Sequence, residues 1–245
     1  MPTHHTPLLE ICVDDAAGLA TAIAGGADRI ELCAALALGG LTPAPGLIAL
    51  AARAPLPVLA MVRPRPGGFV YDDHDMQAAL ADIAAIRAAG LAGIVTGASL
   101  PDGRLDLAAL ARLRDAAGGL PMVLHRAFDI VPDQDQALDQ AIALGLTRIL
   151  TSGGAPTAPQ GAAAIARLAA RAAGRITLMA GGGVTPASAA ALLAAGAQDL
   201  HASCAETLPD QPLTRSINIA AERAQTRLDK VRALRAAMAL ASEVS

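Results

Sequence analysis

Short apolar runs alternate along the chain with longer stretches in which apolar and charged residues recur at helical spacing. The runs are rich in leucine, isoleucine or valine and end in polar residues or glycine, which is typical of buried parallel strands. Eight runs are predicted as strands: Leu8–Asp14, Arg29–Cys33, Pro57–Arg63, Gly93–Gly97, Met122–Ala127, Arg148–Ser152, Ile176–Gly181 and Asp199–Ser203. The intervening amphipathic stretches predict helices over Asp75–Ala89, Leu107–Ala117, Gln134–Leu144, Pro159–Ala172, Thr185–Ala195 and Ala220–Leu240.

Strict alternation of strands and helices favours an α/β fold with a parallel sheet, and eight strands close such a sheet into a TIM (β/α)8 barrel. The competing fold is an open, doubly wound sheet, but the first turn (14–18) lacks the glycine-rich dinucleotide fingerprint. The length of 245 residues suits a single barrel. We therefore expect one domain over 1–245, with a flexible N-terminus (1–7) and a less distinctive C-terminal region (205–245) that ends in a helix.

Composition excludes two classes of partner. The net charge is −3 with no basic run, and three aromatic residues offer little for base stacking, so a nucleic-acid surface is not expected. Strongly apolar runs of about 18 residues are missing from the sequence, so no membrane partner is expected either. The first residues lack the layout of a signal peptide, which predicts a cytoplasmic protein whose three cysteines are reduced thiols.

Polar residues interrupt several strands at every second position, so they share one face of each strand. They are Glu10, Cys12 and Asp14 in the first strand, Arg29, Glu31 and Cys33 in the second, Arg63 and Arg65 after the third, His125 and Asp129 near the fifth, and His201 and Ser203 in the eighth. If these faces point inward, the charged groups must pair or bind a ligand. One interpretation is a structural network in which Arg63 neutralises Glu10 and Glu31. The other is a functional site at the carboxyl ends of the strands.

The functional interpretation assigns roles by side-chain chemistry. Glu10, Glu31 and His125 are candidate catalytic acids and bases. The glycine-rich segment before the predicted helix at Thr185 resembles the phosphate-binding loops of barrels, although it is equally compatible with a tight turn. Residues expected to hold an anion are Arg63, Arg65, Arg126, Asp129, Ser152, Gly181, Gly182, Gly183, His201 and Ser203.

Two cysteines lie near the ends of adjacent predicted strands, which are spaced about 4.8 Å apart. At the same level, the thiolates of Cys12 and Cys33 could approach the separation that linearly coordinated Cu(I) needs, and soft thiolates select this ion. Alternatively, each cysteine is a small buried hydrophobic residue. The sequence leaves both interpretations open.

The chain resembles the CutC family of copper homeostasis proteins. The matching segments are Leu9–Val13, Gly25–Cys33, Gly39–Pro43, Val62–Arg65 through Tyr71, Val95–Gly97, His125–Asp129, Arg148–Gly153, Met179–Val184 and His201–Ser203. The resemblance implies a cytosolic TIM barrel that forms homo-oligomers and binds Cu(I), with Cys12 and Cys33 as the metal ligands.

The sequence therefore supports two alternative functions. The first is Cu(I) binding in copper homeostasis, with the copper ion as the partner. The second is an enzyme that acts on a small anionic molecule, such as a phosphorylated metabolite, at the carboxyl mouth of the barrel.

Overall fold

Eight parallel strands close into a barrel in sequence order, which confirms the predicted TIM (β/α)8 barrel. The structure is a computed structural model and describes residues 6–209 and 222–243. Most of the expected flexible N-terminus, including His4 and His5, therefore lies outside the described residues. The barrel strands are β1 Leu8–Val13, β2 Arg29–Leu32, β3 Val58–Met61, β4 Gly93–Thr96, β5 Met122–Leu124, β6 Arg148–Thr151, β7 Thr177–Gly181 and β8 Asp199–Ala202.

Helices follow the strands and cover the outside of the barrel. They are α1 Ala16–Gly25, α2 Pro45–Ala51, α3 Asp73–Ala88, α4 Leu107–Ala117, α5 Gln134–Ala143, α6 Ala162–Ala172, α7 Pro186–Ala194 and α8 Leu228–Glu243. Aspartates cap α3, α4 and α5 by accepting backbone N–H groups, and Thr185 precedes Pro186 at the start of α7 as predicted. None of the helices in the described ranges is long and apolar enough to cross a membrane.

The region after β8 differs from the prediction. The predicted helix from Ala220 is wrong over 222–226, where β10 (Glu222–Thr226) pairs antiparallel with β9 (Ala205–Pro209). Ala220 itself lies outside the described residues. Pairing with β9 satisfies the backbone of β10, which overrides the helical tendency of this segment. The terminal helix α8 then begins at Leu228 and packs against α7 and α1.

Side chains on the inward face of the strands fill the lumen of the barrel. A small apolar cluster occupies its middle, separate from the main core between strands and helices. This lumen cluster consists of Cys33, Leu59, Met61, Val95, Val123, Leu150 and Met179. Polar side chains lie beside it, and they include the residues that form the candidate site.

Candidate functional site

A buried ion network lies towards the amino ends of the strands. Arg29 Nε donates to Glu10, and Arg29 Nη2 donates to Asp199 Oδ2 at 2.9 Å. Arg148 Nε also lies 3.2 Å from Asp199 Oδ2. Glu10 and Asp199 are fully buried, and Arg29 is 3% exposed. Glu10 is therefore neutralised by Arg29, the first residue of β2, and the expectation that Arg63 would neutralise it is wrong.

The second oxygen of Glu10 fixes the orientation of His201. His201 Nδ1 lies 2.8 Å from Glu10 Oε1, and Nε2 lies 3.5 Å from Glu31 Oε2. Burial alone would raise the pKa of Glu10, but the His201 hydrogen bond and the Arg29 charge lower this pKa to about 2. Burial lowers the pKa of His201, but the neighbouring Cys12 and Glu31 outweigh it and raise this pKa well above its ordinary value.

Glu31 is a buried carboxyl group with an unused oxygen. Burial raises its pKa to about 6, although the His201 charge opposes this shift. A hydrogen bond from the Cys33 thiol to this carboxyl group also opposes the rise in its pKa. No N–H or O–H donor among the described residues reaches Glu31 Oε1. This oxygen is therefore available to a ligand.

Three potential metal ligands meet at this point. Among the described residues, Cys12, Glu31 and His201 each offer a ligand atom, and these atoms lie within 4.8 Å of one another. Cys12 is paired with Glu31 in the register of β1 and β2, so the two predicted thiols are not opposite each other. Cys33 instead lies in the lumen cluster, where burial raises the pKa of its thiol well above the ordinary range.

A cavity of about 630 Å³ opens above this group, at the carboxyl end of the barrel. Its lining comes from the strand ends, the loops that follow them and the first turns of α8. The lining residues are Cys12, Glu31, Leu36, Gly39, Met61, Phe69, His125, Arg126, Leu150, Gly182, Gly183, Val184, Thr185, Pro186, His201, Ala202, Ser203, Cys204, Ala205, Asp229, Lys230, Ala233 and Leu234. This cavity brings together many of the predicted site residues.

His125 presents a buried ring edge to the cavity. Its Nδ1 accepts the backbone N–H of Ala127 at 3.1 Å, whereas Nε2 has no hydrogen-bond partner within the described residues. Burial lowers the pKa of His125 to about 4, and the Arg63 charge acts in the same direction. The ring is therefore neutral at pH 7, with its hydrogen on Nε2, because Nδ1 is occupied as an acceptor. His125 offers a hydrogen-bond donor to a cavity ligand.

The two arginines after β3 mainly organise loops. Arg63 donates to the carbonyl oxygens of Leu38, Gly40 and Gly67 at 2.6–2.9 Å, and its guanidinium lies 5.3 Å from the Phe69 ring centre. Arg65 pairs with Asp75 and is 42% exposed. Neither arginine is among the cavity-lining residues. The expectation that they hold an anion stays a prediction without a contact to support it.

A second polar network fixes the loop after β6. Asp129 accepts hydrogen bonds from Thr151 Oγ1 at 2.5 Å and from the Ser152 backbone N–H at 3.0 Å. Arg126 pairs with Asp129 and donates to Ser152 Oγ at 2.9 Å. Of these residues only Arg126 lines the cavity. Asp129 and Ser152 therefore position the loop and, through it, Arg126.

Backbone conformation and close packing explain the glycines in the loop after β7. Gly182 and Gly183 have φ values of +96° and +72°, in the left-handed region that favours glycine. A Cβ on Gly181 would clash with Leu150 Cδ1. Gly182 and Gly183 line the cavity, as does Ser203, while Gly181 packs beneath it. Phosphate binding by this loop stays a prediction.

Sequence reasoning missed some residues of the site. Asp199, the first residue of β8, shares the face of His201 at period two and pairs with Arg29, but it was not among the predicted site residues. Lys230 reaches the mouth from α8 and donates to the Ala205 carbonyl oxygen at 3.1 Å. Cys204 also lines the cavity, and burial raises the pKa of its thiol to about 11. The alternation of polar residues along the strands ends before Cys204 and Lys230, so it gives no signal for either residue.

The fold and the site together define a (β/α)8 barrel protein whose mouth holds a buried thiol, carboxyl group and imidazole. The chain belongs to the CutC family, whose family model matches residues 7–206.

Relatives support this assignment. A CutC family protein of Sinorhizobium medicae is 60% identical over 153 residues, which is 62% of this chain and 62% of the relative. A CutC family protein of Caulobacter vibrioides is 60% identical over 154 residues, 63% of each chain. These alignments span about three fifths of the relatives' length. The solved structure of a CutC protein from Streptococcus agalactiae, whose name refers to copper homeostasis, is 33% identical, with a TM-score of 0.77 over 80% of this chain and 98% of that chain.

Proposed function

We propose that this protein binds Cu(I) in the cytoplasm and acts in copper homeostasis, with the thiols of Cys12 and Cys33 as the ligands. The observation that carries the proposal is the placement of the Cys12 thiol at the buried end of the cavity. A Cu(I) ion that enters from the mouth would meet this sulfur. The Cys33 thiol is close enough that charge on Cys12 raises its pKa.

The surroundings of Cys33 suit a soft metal ion. Met61 belongs to the same lumen cluster and also lines the cavity, so a thioether accompanies the two thiols. A Cβ on Gly40 would lie 3.2 Å from Cys33 Sγ and 3.4 Å from Met61 Cε, so the loop packs closely against the thiol and the thioether side chain. Thiolate and thioether ligands select Cu(I) over harder cations. The buried Cys33 thiol would lose its proton only when a metal replaces it.

Replacing both cysteines, as Cys12→Ser/Cys33→Ser, is expected to weaken Cu(I) binding by about 100-fold or more. Loss of a residue that only hydrogen-bonds to a metal ligand already lowers metal affinity by about 10–100-fold, and loss of the ligand itself should lower it further. Anaerobic titration of the reduced protein against a Cu(I) chelator measures this change. Cys204→Ser is the matched control and should leave the affinity unchanged. Unchanged affinity in the double variant would remove the proposal.

A second candidate function is an enzyme that acts on a small anionic metabolite. The observation that favours it is a pair of buried atoms at the cavity, Glu31 Oε1 and His125 Nε2. Neither atom has a hydrogen-bond partner among the described residues. Glu31, with a pKa of about 6, could accept a proton, while neutral His125 could donate a hydrogen bond. Glu10 does not line the cavity, so its role would be to hold His201.

Thermal unfolding with a panel of phosphorylated metabolites tests this candidate. A ligand at 100 times its Kd stabilises the folded protein by about 2.7 kcal/mol, which raises the Tm measurably. His125→Asn should reduce the shift, whereas the exposed His74→Asn should not. Absence of any shift across the panel, including inorganic phosphate, would count against the enzyme.

A further inference from the structure

We propose that Cys12, Glu31 and His201 form a three-ligand site for a divalent transition-metal ion such as Zn(II), with a fourth position open to the cavity. This site goes beyond Cu(I) binding by the two thiols and shares only Cys12 with it. Each ligand lies on a different strand, and Cys33 is not required.

The geometry of the three ligand atoms supports a metal site. They lie within 4.8 Å of one another, and His201 Nε2 and Glu31 Oε2 are 3.5 Å apart. Two ligands of one tetrahedral Zn(II) ion are separated by about 3.5 Å when each bond is roughly 2.0–2.3 Å long. Small rotations of the side chains therefore suffice to surround an ion. The adjacent strands β8, β1 and β2 hold the three residues on a rigid support.

The orientation of the His201 imidazole also supports the site. His201 Nδ1 faces Glu10 at 2.8 Å, and Glu10 is itself held by Arg29. A metal-bound histidine usually donates its other ring N–H to a carboxylate. This hydrogen bond orients the ring so that the remaining nitrogen points at the metal. Here the remaining nitrogen, Nε2, faces Glu31. Glu10 is thus a positioning residue for the site.

One oxygen of Glu31 lacks a hydrogen-bond partner among the described residues. This side chain is only 3% exposed, yet no N–H or O–H donor in the described ranges reaches its Oε1. A protonated His201 shared between Glu10 and Glu31 would explain why His201 and Glu31 lie together without a metal ion. It would not account for this oxygen or for the thiol of Cys12 in the same group. A divalent ion satisfies all three, since a thiolate, a carboxylate and a neutral imidazole balance its charge.

The open position follows from the cavity. All three ligands line the space of about 630 Å³, so an ion held by them would face it. Three protein ligands and one exchangeable position are typical of reactive zinc sites, whereas structural sites have four protein ligands. The ligand expected there is water or a small molecule with an anionic oxygen.

Metal titration of the whole chain, freed of metal and kept reduced, tests the site with Zn(II) and Co(II) as probes. One equivalent of Zn(II) should bind, and Co(II) should give a thiolate charge-transfer band that is absent in Cys12→Ser. Glu31→Gln and His201→Gln should weaken Zn(II) binding by more than 100-fold, and Glu10→Gln by about 10–100-fold. Azide should change the Co(II) spectrum if the fourth position is open.

Matched variants separate this site from Cu(I) binding. Cys33→Ser should lose tight Cu(I) binding and keep Zn(II), whereas His201→Gln should do the reverse. Arg104→Met, at an exposed ion pair with Asp102 outside the cavity, should keep both ions. The proposal is overturned if wild-type protein binds no Zn(II), or if Glu31→Gln and His201→Gln bind it as tightly as wild type. Should His201→Gln fail to fold, Glu31→Gln and the wild-type Co(II) spectrum still decide the matter.

Discussion

Replacing Arg29 with methionine is expected to lower the free energy of unfolding by about 3–5 kcal/mol, because it removes the guanidinium that pairs with two buried carboxylates. Arg29 bridges Glu10 and Asp199, both fully buried. Methionine has a similar length and retains the packing, so the loss reports the charge. Urea denaturation at pH 7 measures the difference.

Arg104→Met is the matched control, since Arg104 pairs with Asp102 at the surface, where both side chains are at least 50% exposed. Exposed pairs contribute roughly 0–1 kcal/mol. Equal effects of the two substitutions would show that the network around Glu10 does not stabilise the barrel.

The second large effect is a pH dependence that belongs to His125. Its folded pKa of about 4 lies below the ordinary value of 6.5, so the unfolded chain binds a proton first as the pH falls. The stability from the neutral ring is present above pH 6.5 and is lost as the pH falls towards 4. The loss amounts to about 3 kcal/mol. Glu31, whose pKa is raised to about 6, acts in the opposite direction over part of this range.

Comparing His125→Asn with wild type isolates this contribution, because the other titrating groups are common to both. An asparagine Oδ1 can still accept the Ala127 N–H that Nδ1 now accepts. Urea denaturation between pH 6.5 and 4 should therefore show a flatter profile for His125→Asn. His74→Asn on the exposed start of α3 serves as the control. Parallel profiles for wild type and His125→Asn would show that the buried ring does not titrate as described.

Alternation along the strands predicts which side chains enter the lumen. Glu10, Glu31, His125 and His201 are all buried inward, because parallel barrel strands expose neither face to water. The level of each residue within the lumen depends on register, which the sequence does not contain. Cys12 therefore lies opposite Glu31, and Cys33 lies two positions further along the chain, just after β2.

Loops and distant segments account for the other differences. Arg63 follows β3, and its charge would suit Glu10, but the loop carbonyls around Gly40 and Gly67 take all its described hydrogen bonds. The mouth is also completed by α8, through Lys230, far along the chain from the strands it covers. Such contacts depend on how loops fold back and have no periodic signal.

Anomalous diffraction from crystals loaded anaerobically with Zn(II) or Cu(I) tests most directly whether metal chemistry at this barrel mouth centres on Cys12. For each ion, one strong peak is expected within bonding distance of Cys12 Sγ, about 2.3 Å for zinc. The zinc peak should also adjoin Glu31 and His201, and the copper peak Cys33. Peaks confined to surface carboxylates, with none beside Cys12, would contradict this expectation.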